Sequence, residues 1–332
     1  MTKLKCVLDI CFCVLLFLLP QTAMGQTVAS DSTIQKSDTT VVKEVNRKKA
    51  SVNRSDLLKG NISRTRNFNE IPDVDDLRSV NEGTIIGFGS YMMKDTYLSP
   101  MEYNGYGMHY MNERMKFTGA GSFKWSRQSI VNVDISSALN GAENANFLSA
   151  FVDYSYGLHY RILPSPFFKI LVGGSTRGML GMVYNTRNGN NPMTLHADID
   201  LNASMMAIYE FRIRKHQLAL RYQIELPFAG VLFSPVYNQS YYEIFSLGNT
   251  QKIFNFNSLS NKFAIRNYFY LDFPIGGMTL RAGYYGMIYS TNINKIERYI
   301  ASNNVMLGVV KEFVALGGRE LKRRNLFISA YY

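Results

Sequence analysis

Apolar and polar residues alternate with a period of two along most of the chain. In 147–162 the even-numbered residues are all apolar or aromatic, whereas Ser149, Asp153 and Arg161 stand at odd positions. In 193–210 the parity is reversed, with apolar side chains at the odd positions. The same alternation recurs in 168–184, 217–228, 263–273 and 277–290. Because successive side chains of a strand point to opposite faces, this pattern predicts β-strands.

The alternating segments predict an all-β fold of ten strands. Their predicted bounds are 83–93, 105–117, 121–137, 147–162, 167–184, 193–209, 216–228, 261–273, 277–290 and 303–314. A twelve-strand alternative stays open, in which 326–332 forms the last strand and a further strand lies within 229–260. Since ten is even, an antiparallel barrel of ten strands starts and finishes at the same end, which is the periplasmic end in outer-membrane barrels.

The length of the strands favours a transmembrane barrel over a soluble sandwich. Strands of soluble proteins usually have about five or six residues, and about 9–11 are enough to cross a bilayer. The alternation in 147–162 and 193–209 is longer than either. Tyr160, Tyr184 and Tyr209 stand near the ends of apolar stripes, where barrels carry their aromatic girdles. The predicted fold class is therefore a transmembrane antiparallel up-and-down β-barrel.

The predicted connections are alternately short and long, which is typical of outer-membrane barrels. Short turns are predicted at 163–167, 211–215 and 274–277. Long loops are predicted at 93–104, 138–146, 185–192, 229–260 and 291–302.

The segment before the barrel carries an export signal. Two lysines precede an apolar run, and small residues follow it, so residues 1–25 are predicted to be a signal peptide. An N-terminal membrane anchor is the alternative. Residues 26–80 are polar and charged, with Phe68 as their one aromatic residue, which predicts a disordered periplasmic linker. The barrel is predicted over 81–314, and 315–332 is a C-terminal tail or an extra terminal strand.

Composition and charge restrict the class of partner. Mean hydropathy is −0.10, which excludes a bundle of apolar membrane helices. The net charge of +11 is spread along the chain, so it favours contact with anionic lipid or surface sugar over nucleic acid. The aromatic C-terminal residues are typical of the strand that outer-membrane proteins present to the barrel-insertion machinery. The predicted partners are therefore outer-membrane lipid and that machinery, with a surface glycan or small solute as a further candidate.

The polar face of the predicted strands carries six charges of each sign. The basic residues are Arg161, Lys169, Arg177, Arg221, Arg266 and Arg281. The acidic residues are Asp153, Asp198, Asp200, Glu210, Glu225 and Asp272. A balanced interior indicates ion pairs that fill a small barrel, because an unpaired buried charge is costly. A narrow polar pore or a buried site is the alternative interpretation.

The strand register predicts one particular cluster in this interior. A turn centred on Ser165 places Asp153 opposite Arg177, and a loop centred between 188 and 189 places Arg177 opposite Asp200. Asp153, Arg177 and Asp200 are therefore predicted to form a buried charge cluster that seals the barrel at mid-height.

No arrangement of residues predicts a catalytic, metal or cofactor site. Ser155 and His159 share a face but lie roughly 13 Å apart along a strand, too far for a nucleophile and its base. His196, Asp198 and Asp200 also share a face, but their spacing of roughly 7 Å is too wide for one strand to chelate an ion. The aromatic loop 229–260 is the candidate binding segment, since rings can stack on sugars or fold into the barrel mouth. Its candidate residues are Phe233, Tyr237, Tyr241, Tyr242 and Phe245.

Four stretches of sequence resemble a known family. They are Asp95–Gly107 (DTYLSPMEYNGYG), Asn112–Met115, Leu226–Gly230 (LPFAG) and Val310–Phe313. The chain resembles, over about 80–314, a family of outer-membrane β-barrels from Bacteroides-type bacteria known as a domain of unknown function. The resemblance implies a barrel fold and transfers no catalytic residues. Family members tend to end soon after the Lys-Glu-Phe stretch, whereas this chain continues through 314–332.

The sequence thus favours a non-enzymatic outer-membrane barrel that is either structural or a narrow passive channel. One alternative is a barrel enzyme that hydrolyses lipid or peptide at the extracellular rim. Another is a surface adhesin or sugar-binding barrel that uses loop 229–260.

Overall fold

The structure is a computed structural model that describes residues 77–78, 80–118, 124–164, 167–189, 191–213, 216–275, 278–313 and 327–328. All of them belong to one compact unit, Asn53–Tyr332. The predicted signal peptide and nearly all of the predicted linker and tail lie outside the described residues. No described helix is long and apolar enough to cross a membrane.

Strands dominate the described part of the chain, and their bounds are as follows. They are β1 Leu77–Arg78, β2 Val80–Asp95, β3 Ser99–Phe117, β4 Trp125–Asn140, β5 Asn146–Pro164, β6 Phe168–Asn185, β7 Met193–Ile213, β8 His216–Phe233, β9 Phe254–Ser258, β10 Lys262–Ile275, β11 Met278–Ile293, β12 Ile296–Phe313 and β13 Phe327–Ile328. One short helix, α1, spans Tyr241–Phe245.

Ten of these strands form a closed antiparallel barrel, as predicted. Each pairs with its neighbour in the chain from β2 to β8 and from β10 to β12, and β10 also pairs with β8. The barrel closes where β2 pairs with β12, from Val80 opposite Phe313 to Asp95 opposite Arg298. The first and last barrel strands therefore have their free ends at the same end of the barrel.

The twelve-strand alternative is wrong. A strand does form within 229–260, but β9 pairs only with β8 and lies outside the ten-strand ring. The C-terminal segment contributes β13, which pairs in parallel with β1 in a separate two-stranded sheet.

Three of the five predicted long loops are also wrong. Strands β2 and β3 are joined by only Thr96–Leu98, β4 and β5 by 141–145, and β11 and β12 by Asn294 and Lys295. Both residues of the last turn have positive φ, 55° and 64°, as tight hairpins require. Beyond the apolar band the outward side chains become polar, so the alternation that marks a strand fades while backbone pairing continues. Long connections remain at 186–192 and at 234–253 with its helix.

The apolar face of the barrel points outward and the polar face inward. Ile199 on β7 is 63% exposed and Val305 on β12 is 69% exposed, whereas Arg177 on β6 is 0% exposed. A soluble protein hides its apolar face, so this inversion fits a barrel surrounded by lipid. The lumen is not purely polar, since aromatic side chains such as Tyr103, Phe147, Tyr268 and Tyr285 also lie buried in it.

Candidate functional site

The lumen contains every charged residue that the sequence predicted to point inward. All twelve, six basic and six acidic, are buried. Sequence reasoning missed five more buried charges, which are Asp95, Glu113, Asp134, Lys262 and Arg298. Asp95 and Arg298 lie in segments predicted to be loops, so no parity was assigned to them. Extending the alternation within the other three strands would have found the rest.

Arg177 is the centre of a charge cluster at mid-barrel. Its Nη2 atom lies 3.2 Å from Glu225 Oε2 and 3.6 Å from Asp153 Oδ1, and donates to the hydroxyl of Tyr268 at 3.0 Å. Asn132 also donates to Asp153, at 2.9 Å. The cluster therefore contains Arg177 and Asp153 as predicted, together with Glu225, which the register argument did not place there.

The predicted register holds on one side of Arg177 and fails on the other. Arg177 lies directly opposite Asp200 on β7, so that prediction is confirmed. On β5 it lies opposite Ser155, and Asp153 faces Met179, so that pairing is wrong by two residues. The cause is a turn displaced toward β6: Pro164 lies opposite Lys169, which shifts the pairing by three residues, and the irregularity between Arg161 and Leu163 reduces the shift to two. The long guanidinium side chain still spans the offset to Asp153.

Asp200 belongs to a different group from Arg177. Lys262 Nζ lies 2.6 Å from Asp200 Oδ2 and 2.8 Å from Asp198 Oδ2. Asn257 donates to Asp200 Oδ1 at 2.9 Å, and Tyr289 donates to Asp198 Oδ2 at 3.1 Å. The predicted trio is thus divided between two clusters at different places in the lumen.

A third ion-pair cluster is built around Glu113. One carboxylate oxygen lies 2.5 Å from Arg221 Nη2, and the other lies 2.8 Å from Arg281 Nη1. Arg281 also donates to both oxygens of Asp272, at 2.6 and 2.7 Å. Gln128 donates to Glu113 as well. Because each carboxylate has at least one cationic partner, the cost of burying these charges is offset within the barrel.

Charged pairs also occupy the two ends of the lumen. At the cap end, His196 Nε2 lies 3.3 Å and Arg298 Nε lies 3.5 Å from Asp95 Oδ2. At the opposite end, where β2 begins and β12 ends, Lys169 pairs with Glu210, and the Arg161 guanidinium lies over the ring of Phe117.

The segment 234–253 forms a cap over the rim, and the five candidate aromatics divide between two roles. Tyr241 accepts a hydrogen bond from the backbone N–H of Leu195 at 2.6 Å, and Phe233 packs with Ile244 in a small apolar cluster. These contacts hold the cap to the barrel. In contrast, Tyr237 is 50%, Tyr242 66% and Phe245 67% exposed.

A turn on the opposite side of the mouth also holds the cap. Tyr97, between β2 and β3, donates from its hydroxyl to the carbonyl of Gln239 at 2.9 Å. Burial, with the neighbouring Tyr241 and Asp95, raises the pKa of Tyr97 to about 12. Its phenol is therefore protonated at neutral pH and remains a donor to the cap.

His159 and His109 are buried and bonded to other lumen side chains, so neither lies beside a serine at an accessible position, as hydrolysis at the rim would need. His159 bonds to Ser204 Oγ at 2.9 Å rather than to Ser155, a pair that the sequence did not indicate because it joins different strands. His109 Nδ1 lies 2.8 Å from Asp134, which also accepts from Tyr91. All of these side chains are buried. Among the described residues, no group of three His, Cys, Asp or Glu side chains is placed to hold a metal ion.

A closed ten-strand barrel with an apolar outer surface and a polar lumen defines an outer-membrane β-barrel. The chain belongs to the family described as "Protein of unknown function (DUF3316)", whose sequence profile matches residues 57–320. The family resemblance inferred from the sequence is thus confirmed at the level of a domain of unknown function.

Solved structures with a similar fold include outer-membrane proteins and an autotransporter domain. The outer membrane protease OmpT from Escherichia coli is 5% identical, with 74% of this chain and 100% of that chain covered and a TM-score of 0.40. The β domain of the Bordetella autotransporter BrkA is 9% identical, with 72% and 100% covered and a TM-score of 0.34. An outer-membrane channel from Pseudomonas putida is 8% identical, with 75% and 99% covered and a TM-score of 0.29. A search of curated proteins finds no match.

Proposed function

We propose that this protein is a sealed, non-enzymatic barrel of the outer membrane, in which ion pairs fill the lumen and the cap faces the cell exterior. The observation that carries the proposal is the burial of large charged and aromatic side chains throughout the lumen. Arg177, Arg266, Arg281, Tyr268 and Tyr285 are all almost inaccessible to solvent. Side chains that line a water-filled pore would be accessible to water. The structural form of the hypothesis is therefore favoured over the passive channel.

The closed lumen predicts that the full-length protein does not conduct ions. Planar-bilayer recordings of refolded protein should show no stepwise currents above those of a protein-free membrane. A channel-forming porin of similar strand number, refolded in the same way, serves as the positive control. Regular single-channel steps would contradict the sealed lumen and favour the passive channel.

The barrel should behave as an integral outer-membrane protein. We expect it to fractionate with the outer membrane and to migrate anomalously on gels unless boiled, because a closed sheet with paired backbone groups resists detergent. Recovery of the chain as a soluble periplasmic protein would contradict the membrane location. Export by residues 1–25, assembly by the barrel-insertion machinery and a source in Bacteroides-type bacteria are parts of the same proposal.

The orientation follows the usual arrangement of such barrels. Both ends of the ten-strand barrel lie at the end opposite the cap, which we assign to the periplasm. The cap at the other end would then face the exterior. An enzymatic role receives little support, because the buried histidine and carboxylate groups already bind one another.

A second candidate function, binding of surface glycan, has one observation in its favour. Tyr237, Tyr242 and Phe245 expose large aromatic surfaces on the cap although other cap side chains pack inward. Aromatic rings stack on the apolar faces of sugars. A chain with all three replaced by Ser should keep its anomalous gel migration and lose glycan-array signal. Unchanged binding would exclude this use of the cap.

A further inference from the structure

The barrel wall is interrupted between β8 and β10. Their pairing ends where Glu225 lies opposite Arg266. Beyond that point β8 pairs with β9, beginning with Ala229 opposite Ser258. On β8 only Leu226–Phe228 separate the two pairings, whereas 259–265 separate them on the other side. Residues Lys262–Ile265 of β10 consequently pair with β11 but with no strand on the β8 side among the described residues. We call this interruption the wall slot.

The LPFAG stretch, Leu226–Gly230, explains why the wall opens at this place. Pro227 has no N–H group to donate to a neighbouring strand, and it sits where pairing with β10 stops. Strand β8 is also irregular against β7 here, with Asn202 opposite Pro227 and Leu201 opposite Ala229. At Gly230, an added Cβ would lie 2.5 Å from Asn257 Oδ1 and 2.6 Å from Asp200 Oδ1. Glycine thus leaves room for these two polar side chains to meet behind the slot.

A polar group with unmatched acceptors lies on the lumen side of the wall slot. It consists of Asp198, Asp200, Asn257, Lys262 and Tyr289, and we call it the slot cluster. Two carboxylates against one ammonium leave it short of one positive charge. Asp198 Oδ1 and Asn257 Oδ1 are buried and accept no hydrogen bond from any described residue. Buried acceptors are normally satisfied, so these two atoms call for a donor.

A hydrogen-bond donor without a partner lies at the end of the slot farther from the cap, where the pairing of β8 with β10 stops. Arg266 is fully buried, and none of its three guanidinium nitrogens has a hydrogen-bond partner among the described residues. The acidic side chain opposite it, Glu225, is already bound by Arg177 and Gln223. The slot thus has the free acceptors of Asp198 and Asn257 on the cap side and the free guanidinium of Arg266 on the other side. This arrangement suits a ligand that carries one positive and one negative charge.

The outer side of the slot faces the apolar band of the barrel. Phe228 and Phe263 flank it and point outward, as does Phe256 on β9. Val231, opposite Phe256, and Ile199, opposite Val231, continue the apolar surface at the same level. Unpaired strand backbone facing hydrocarbon is costly, because no water is present to bond with it. A molecule that fills the slot must therefore join an apolar body to polar atoms.

We propose that the wall slot is a lateral binding site for a phospholipid with a primary-ammonium headgroup. The ammonium would donate to Asp198 and Asn257, the acyl chains would lie along Phe228 and Phe263, and the phosphate would accept from Arg266 once this buried guanidinium turns from the lumen into the slot. This inference rests on the membrane location in the proposed function. Failure of the protein to fractionate with the outer membrane would contradict that location. The slot itself is tested separately, in protein already shown to be a folded barrel.

The first experiment tests whether the wall is open. Continued pairing of β8 with β10 would place Phe228 opposite Phe263, so the full-length chain is made with F228C/F263C. The matched control is L220C/L271C, since Leu220 and Leu271 lie directly opposite in the same two strands. Cysteines whose Cα atoms are more than about 7 Å apart cannot be bridged without backbone movement. Peptide mapping after mild oxidation should show at least tenfold less disulfide at the slot than in the control. Equal yields would overturn the proposal.

The second experiment tests the ligand. Native mass spectrometry of the folded chain is performed with equal amounts of phosphatidylethanolamine, phosphatidylcholine and phosphatidylglycerol. Phosphatidylcholine has the same charges as phosphatidylethanolamine but no N–H donor. We expect bound phosphatidylethanolamine to exceed each of the other lipids at least tenfold. Equal retention of all three lipids would show that the slot makes no headgroup-specific contact and would overturn the proposal.

Two substitutions locate the bound lipid. D198N removes one charge and one acceptor from the slot cluster and should reduce the preference for phosphatidylethanolamine to below twofold. D153N alters an equally buried carboxylate in the Arg177 cluster and should leave the preference unchanged. If D198N does not fold into the form that migrates anomalously on gels unless boiled, N257A takes its place, because it removes the other free acceptor without a change of charge. Preserved preference in the folded slot variant would contradict the assigned site.

Discussion

Replacing Arg177 with Ala lowers the free energy of unfolding of the barrel by about 3–5 kcal/mol, the usual effect of removing one partner from a buried charge cluster. The guanidinium lies between Asp153 and Glu225 in the lumen, with its Nη2 atom 3.6 Å from the first carboxylate and 3.2 Å from the second. Without it, two carboxylates share one side of a lumen that offers little water. The loss arises from these uncompensated charges rather than from the missing side-chain volume.

The effect of Arg177→Ala is measured by urea unfolding of the folded barrel in detergent, followed by its heat-modifiable band. Lys94→Ala is the control, because the Lys94–Glu297 pair is partly exposed, with side chains 24% and 52% accessible. We expect the control to change stability by less than about 1 kcal/mol. Equal effects of the two substitutions would show that the Arg177 cluster does not stabilise the barrel. New stepwise conductance in Arg177→Ala would identify the cluster as the seal of a narrow pore.

Replacing Glu113 with Ala should be comparably disruptive, by about 3–5 kcal/mol. Its carboxylate lies between Arg221 and Arg281, with contacts of 2.5 and 2.8 Å. Removing it leaves two buried cations facing each other, although Arg281 keeps Asp272. The same urea assay measures the change in stability.

A double-mutant cycle separates this repulsion from loss of packing. When Arg221→Ala is added to Glu113→Ala, one of the two facing cations disappears, so the double variant should lose less than the two single losses combined. Additive losses would contradict direct coupling between Glu113 and Arg221. Glu82→Ala removes a carboxylate from the partly exposed Glu82–Arg114 pair and should cost less than about 1 kcal/mol.

The parity of side chains along the strands was sufficient to predict the ten-strand barrel and twelve of the seventeen buried Asp, Glu, Lys and Arg side chains that the structure describes. Parity is a local property, and a lipid-facing band makes it unusually clear in segments such as 193–210. It failed where the outer surface becomes polar, as around Arg298 and Asp95. There, buried inward side chains such as Ile296 and Ile300 are apolar whereas Glu297 is exposed, so the sense of the alternation is the reverse of that in the apolar band and inward charges cannot be read from it.

Contacts across the lumen were beyond the reach of sequence reasoning. Arg177 meets Asp200 in register as predicted, because a loop centre fixes the pairing of adjacent strands. Its shortest ion-pair distance is to Glu225, which lies two strands away, and this contact depends on the curvature of the closed wall. The two-residue error at Asp153 arose because the turn after β5 is displaced toward β6, and the alternation pattern does not record where a turn is centred.

The junction between β2 and β12 determines how this protein must assemble. It brings together partners as distant as Lys94 and Glu297, which are 203 residues apart in the chain. Such a pairing carries a large entropic cost of loop closure, and it can form only after every intervening strand is available. Until then, β2 and the growing end of the sheet both present unpaired edges, which hydrocarbon does not tolerate. Assembly should therefore be slow and cooperative, with the arrival of β12 as the event that commits the chain to the bilayer.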